Sequence, residues 1–197
     1  MKRIVLASAS PRRVELLKQI RLEFEVFPSS VGEQLDMKAK PEDVVQQLAC
    51  KKAVDVAEKL NSVKKGKNTI VIGADTIVVK DGIIMGKPKN EAHAFEMLKS
   101  LQGEWHEVLT GIAVVNAQDM KRITDYERTR VKFRNFSDDI INSYIRTGEP
   151  MDKAGAYGVQ GIGAVLVERI EGCYFNVVGL PLVKLANLLG NFDVKVL

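Results

Sequence analysis

Thr69-Ile-Val-Ile-Gly-Ala-Asp-Thr-Ile-Val-Val-Lys-Asp-Gly-Ile-Ile-Met85 decides how this chain folds. Residues 69–74 are apolar and β-branched, the composition of a strand. Asp75-Thr76 is expected to break that strand, which resumes as Ile77-Val78-Val79. Asp81-Gly82 is a strong signal for a two-residue hairpin, with residues 83–85 as the returning strand. A strand that continues into a hairpin calls for a sheet with antiparallel neighbours.

Upstream, residues 4–7 form a short apolar run suited to a buried strand. Ser10 is placed to cap a helix with Pro11 at its first position and Val14, Leu17 and Ile20 facing inward. Residues 22–27 alternate apolar and charged, as a half-buried strand does. Pro41 opens a long helix in which Val44, Val45, Leu48, Ala49, Lys52, Ala53, Val56 and Leu60 recur at helical spacing. Downstream, residues 91–101 and 138–146 read as helices, and 107–116 and 121–133 as long strands. Further strands are expected near 164–170 and 174–178, and a last helix runs from Pro181 to Gly190. Helices and strands alternate irregularly, with strands adjacent in the middle of the chain. That pattern predicts an α/β fold on a mixed sheet, in one domain of residues 1–197.

Composition removes several classes of function. With 46% hydrophobic and 27% charged residues, the chain can bury a core without staples. No apolar run approaches the roughly 18 residues of a membrane span, and the one at the N-terminus is too short for a signal peptide. Cys50 and Cys173 lie far apart and form no CxxC, which argues against a disulfide framework or zinc site and for the cytoplasm. The net charge of +4 does not by itself indicate a nucleic-acid partner, and only 6% of residues are aromatic, too few for a base-stacking platform.

Three places can carry chemistry. In Ser8-Ala-Ser-Pro-Arg-Arg13 a strand passes through a tight turn into a helix, so free N–H groups converge where two arginines oppose the helix dipole. A bound polyanion reverses that penalty; the competing reading is two exposed arginines. Asp75 follows so apolar a run that it is desolvated unless it lies at the sheet's edge or in a cleft; it can serve as a hard-cation ligand or general base, or only as a strand-end cap. Residues 147–163 hold five of the 15 glycines. Together with Asp152, Lys153, Tyr157 and Gln160 they suit close approach to a ligand, or only a loop that needs positive φ. Lys52 and Lys87 are candidates for phosphate contacts, or snorkelling lysines. Two motifs fail: residues 82–88 are one residue short of a P-loop with Pro88 in place of Ser or Thr, and Gly158-Val-Gln-Gly161-Ile-Gly163 reverses the dinucleotide fingerprint. His93 and His106 share no metal-ligand spacing and read as surface or packing residues.

Leu6-Ala-Ser-Ala-Ser-Pro-Arg-Arg13, Gly73-Ala-Asp-Thr76, Gly86-Lys-Pro88, Gly148-Glu-Pro150, Asp152-Lys-Ala-Gly-Ala-Tyr-Gly-Val-Gln-Gly161 and Asn176-Val-Val-Gly-Leu-Pro181 together resemble the Maf family along essentially the whole chain. The resemblance implies an elongated mixed sheet flanked by helices, two lobes with a deep cleft, and kinship with inosine-triphosphatase-type enzymes. It implies a nucleoside triphosphate pyrophosphatase that cuts the α–β phosphoanhydride with Mg²⁺ or Mn²⁺, in a family whose members are often dimers. Asp75 falls on the family's catalytic acid and Glu33 on a polar position of its pocket, and the two are expected to hold the metal. Ser8, Arg12, Arg13, Lys52, Thr76, Lys87, Lys153 and Gln160 fall on its substrate pocket. Arg12, Thr76 and Gln160 match the branch acting on dTTP and UTP. The competing expectation is a nucleotide-binding regulator of septum formation without relevant turnover; nucleic acid and membrane are not expected partners.

Overall fold

The computed structural model of the chain describes residues 2–32 and 39–197. Its central feature is β3 (Thr69–Lys80), twelve residues without interruption and buried along nearly all its length. The expected break at Asp75-Thr76 does not occur. The poor strand preference of Asp is overridden because residues 69–72 pair with β1 (Arg3–Leu6), residues 78–80 pair with a returning strand and β5 (Trp105–Asn116) flanks β3, so the short stretch between is held extended. The hairpin forms as its sequence predicts. Asp81 (φ +50°) and Gly82 (φ +78°) turn the chain into β4 (Ile83–Met85), antiparallel to β3 with Lys80 opposite Ile83.

One seven-stranded sheet results, mixed in direction. Its order is β2 (Glu25–Val26), β1 (Arg3–Leu6), β3, β5 (Trp105–Asn116), β6 (Arg122–Phe133) and β7 (Val167–Glu171), with β4 attached to β3. β1 is parallel to β2 and β3, whereas β6 and β7 are antiparallel. The flanking helices complete the α/β architecture.

Three expected strands are corrected. β2 is an exposed edge of two residues rather than a half-buried strand over 22–27; with one neighbour only, it is held by short pairing and by the Arg3–Glu25 ion pair at 2.5 Å. Residues 174–178 are helical, forming α5 (Tyr174–Val178), and residues 164–166 belong to a 3₁₀ turn. The buried Asn176 side chain explains the first: its amide donates to the Val108 carbonyl and to Thr129 Oγ1, both at 2.9 Å, which coils the segment onto β5 and β6 despite its valines.

The chain divides into two compact units, Met1–Asp75 with Thr110–Glu127 and Gly179–Leu197, and Thr76–Leu109 with Arg128–Val178. The first carries α1 (Pro11–Gln19), α2 (Pro41–Ser62) and α6 (Leu182–Gly190). There α2 lies directly on the sheet because Gly73 and Gly111 leave no side chain beneath it; a Cβ at either would overlap the α2 backbone. The second unit carries α3 (Glu91–Leu101), α4 (Asp138–Arg146), α5 and three 3₁₀ turns, Glu149–Asp152, Ala154–Ala156 and Gly161–Leu166. Its core centres on Phe133, against which His106 and Tyr157 stand edge-on at ring separations of 4.9 and 4.7 Å.

Candidate active site

The strand-to-helix turn after β1 is built by Ser8 and Arg13. Ser8 is buried, and its Oγ accepts from the Ser10 N–H (3.2 Å) and from Arg13 Nη1 (3.1 Å). Arg13 Nε donates to the Gly179 carbonyl at 2.9 Å, so the guanidinium ties this turn to the segment before α6. The inward face of α1 is therefore Arg13, Leu16 and Leu17, rotated from the expected Val14, Leu17 and Ile20. Arg13 is not an exposed arginine. Ser10 occupies the cap position, but its side chain caps nothing; Pro11 follows, and no acidic residue lies in the first turn. The helix end is thus electropositive, with the half-buried Arg12 beside it.

Seating α2 on Gly73 places Lys52 Nζ 2.5 Å from Asp75 Oδ1, with the two side chains 13% and 8% exposed. Neither charge is stable alone at that depth, since desolvation costs several kcal/mol per ion unless a partner compensates. Asp75 is not a strand-end cap; it is a mid-strand carboxylate paired with an ammonium. Such a pair presents a cation to an anionic ligand and an oxygen to water or a hard cation.

In the second unit, Thr76 is half-buried and points to the opposite face of β3 from Asp75. The turn bearing the exposed Lys87 meets the glycine-dense segment through the Gly155 N–H, which donates to the Gly86 carbonyl at 3.1 Å. Lys153 bonds the Glu149 carbonyl and Asp152 Oδ1. Gln160 is half-buried at the head of the last 3₁₀ turn. Glu149, which lies in the Gly148-Glu-Pro150 motif but to which the sequence assigns no role, accepts from the Ile162 N–H (2.9 Å), the Gly163 N–H (3.0 Å) and the Tyr144 hydroxyl (2.9 Å). Burial opposes its charge, but these three donors and the charge of Lys153 together hold its carboxyl below the usual carboxylate range. The available signal was an acidic residue opening a segment rich in glycine.

Thus Ser8 with Arg13, and Lys52 with Asp75, are brought into direct contact. Glu33 lies outside the described residues. Among the described residues no group of three or more His, Cys, Asp or Glu is arranged to hold a metal ion. His106 is a packing residue: Nε2 shares a 2.7 Å hydrogen bond with the Tyr157 hydroxyl, and burial, then the charge of Lys80, pushes its pKa down to about 3. No helix among the described residues is long and apolar enough to cross a membrane.

The sheet is that of an α/β protein, with an electropositive helix end and a buried lysine–aspartate pair on it, and the family follows from comparison. The Maf family (Maf-like protein) matches residues 3–192, and the chain belongs to that family. A relative from Acetivibrio thermocellus, named dTTP/UTP pyrophosphatase, is 57% identical over the whole of this chain and 98% of its own. Proteins of the same name from Caldicellulosiruptor bescii (49% identical, 96% of this chain and 94% of that one) and Clostridium perfringens strain SM101 (48%, 99% and 100%) are similar over nearly full length.

Proposed function

We propose that the chain is a nucleoside triphosphate pyrophosphatase that hydrolyses dTTP and UTP to the monophosphate and pyrophosphate, a house-cleaning activity in the cytoplasm. The observation that carries this reading is similarity along the entire chain to relatives named dTTP/UTP pyrophosphatase. The buried Asp75–Lys52 pair is where its chemistry is best supported.

Water attacks the α-phosphorus, the bond to the α–β bridging oxygen breaks, and pyrophosphate leaves. Little covalent work falls to the protein in such a transfer, so positioning and charge neutralisation dominate. Arg12, Arg13, Lys52 and the amides at the start of α1 bind the triphosphate, with Ser8 holding Arg13 in place. Oδ1 of Asp75 is engaged by Lys52, so Oδ2 is assigned to hold the attacking water and accept its proton. Lys87 and Lys153 assist in binding substrate, while Thr76 and Gln160 read the pyrimidine.

A Mg²⁺ or Mn²⁺ ion suits the donor chemistry. Asp75 offers a hard anionic oxygen, and such ions are typically held by one or two carboxylates together with substrate phosphates. Asp75 and Glu33 are the proposed ligands. When bound, the ion lowers the pKa of water and neutralises phosphate charge. A homodimer is the proposed assembly, checked by the mass of the protein in solution.

The test is pyrophosphate release from a panel of canonical and modified triphosphates with Mg²⁺ or Mn²⁺. dTTP and UTP are expected to be preferred, and Arg12→Ala to raise their KM. Preference for 7-methyl-GTP would overturn the substrate branch, and tight binding without turnover would favour the septum regulator.

A further inference from the structure

Residues 158–163, with Gln160 between them, are fastened at both ends by one small network. At one end the Gly158 N–H donates to the Tyr144 hydroxyl at 3.2 Å. At the other, the Ile162 and Gly163 N–H groups close on the two oxygens of Glu149. The Tyr144 hydroxyl in turn donates to Glu149 Oε1, so both ends reach a single carboxylate. The fit is close: a Cβ at Gly161 (φ +74°) would lie 2.7 Å from Glu149 Oε2, and one at Gly163 would lie 2.5 Å from the Tyr144 hydroxyl. Tyr144 itself is buried in the core of its unit. A glycine-dense segment has the most backbone freedom to lose, so it stays in one conformation only if anchored.

We propose that Glu149 is a positioning residue for base recognition, holding the turn that presents Gln160 to the pyrimidine. This rests on the reading of Gln160 given above. Glu149 needs no contact with the nucleotide; it replaces a bound anion as the organiser of the turn. Glu149→Ala removes all three acceptor interactions. Glu149→Gln keeps the volume but turns an NH₂ toward a backbone or hydroxyl donor, so it should be intermediate.

The experiment measures kcat/KM for UTP and for CTP, which differ at the base edge, in the parent, Glu149→Ala, Glu149→Gln, Gln160→Ala and Glu149→Ala/Gln160→Ala. Circular dichroism confirms folding, and Glu149→Gln serves if the alanine variant does not fold. Glu149→Ala is expected to reduce UTP-over-CTP discrimination about tenfold, mostly through the KM for UTP. Glu149→Gln is expected to lie between it and the parent. The double variant is expected to discriminate no worse than Gln160→Ala alone, because both substitutions act through one group. A folded Glu149 variant with unchanged discrimination, or effects that multiply in the double variant, overturns the proposal while leaving the role of Gln160 standing. Unchanged discrimination in Gln160→Ala, or equal turnover of UTP and CTP by the parent, overturns the base-reading role, and this inference with it.

Discussion

Each unit of the molecule fixes a carboxylate with hydrogen-bond donors, Asp75 buried and Glu149 half-buried, and the two do so by opposite means. Asp75 faces a lysine side chain from another element, a partner that a ligand can draw off or share. Glu149 accepts from two amides and a tyrosine hydroxyl of its own neighbourhood, a set that no ligand needs to displace. The first arrangement holds charge ready for exchange. The second uses charge to fix backbone. Under the proposed function, chemistry belongs with Asp75, and shape with Glu149.

The largest effect that tests this contrast is on turnover. Asp75→Asn keeps the volume and an acceptor for Lys52 but cannot take a proton. Pyrophosphate release is expected to fall about 10²–10⁴-fold, the usual contribution of a general base. Nucleotide affinity measured by calorimetry should stay within a few-fold. Activity near that of the parent would remove Asp75 from the reaction and leave both carboxylates structural.

Stability separates the two next. Lys52→Met leaves Asp75 buried and uncompensated, with an expected loss of about 3 kcal/mol in urea unfolding. Adding Asp75→Asn should restore part of that loss, because the stranded charge is gone. No recovery in the double variant would mean that Lys52 stabilises by packing alone and that the pair is not the unit of charge balance.

What could be read from the sequence follows the range of the interactions involved. The Asp81-Gly82 hairpin and the long helix from Pro41 are local patterns, and both are where residue spacing places them. Asp75 and Lys52 could each be singled out, but their contact spans 23 residues and depends on how α2 lies on β3. Gly73, the residue that permits it, carries no chemistry of its own. The misread strand at Tyr174–Val178 has β-branched composition, and only the tertiary contacts of Asn176 make it a helix. Glu149 escaped notice because its function is to satisfy amides, and amides are the same at every glycine.

Histidine offers a third solution to burial, neutrality, with a signature in pH. His106 titrates at about 3 in the folded chain against 6.5 for an ordinary histidine, so between those values the unfolded chain binds the extra proton. Its contribution to stability is complete above about pH 6.5 and is lost as pH falls toward 3, with a slope approaching about 1.4 kcal/mol per pH unit. His106→Gln should flatten the stability profile between pH 4 and 6, measured by urea unfolding at each pH. A variant profile as steep as that of the parent would assign the acid sensitivity to carboxylates instead.

The smallest effect concerns the packing that makes the exchangeable pair. At Gly73 a Cβ would overlap the Ala49 carbonyl and lie 2.9 Å from the Ala53 Cβ, so Gly73→Ala must lift α2 from the sheet. Overpacking of this kind costs about 1–3 kcal/mol, less than stranding a buried charge. The displacement also carries Lys52 away from Asp75, so turnover should fall by more than the stability loss alone explains. Gly163→Ala makes the matching intrusion beside Tyr144 and Glu149. It should disturb choice among bases while leaving pyrophosphate release from bound UTP nearly intact. If both alanine variants instead lose turnover and discrimination in equal proportion, the assignment of chemistry to one carboxylate and shape to the other does not hold.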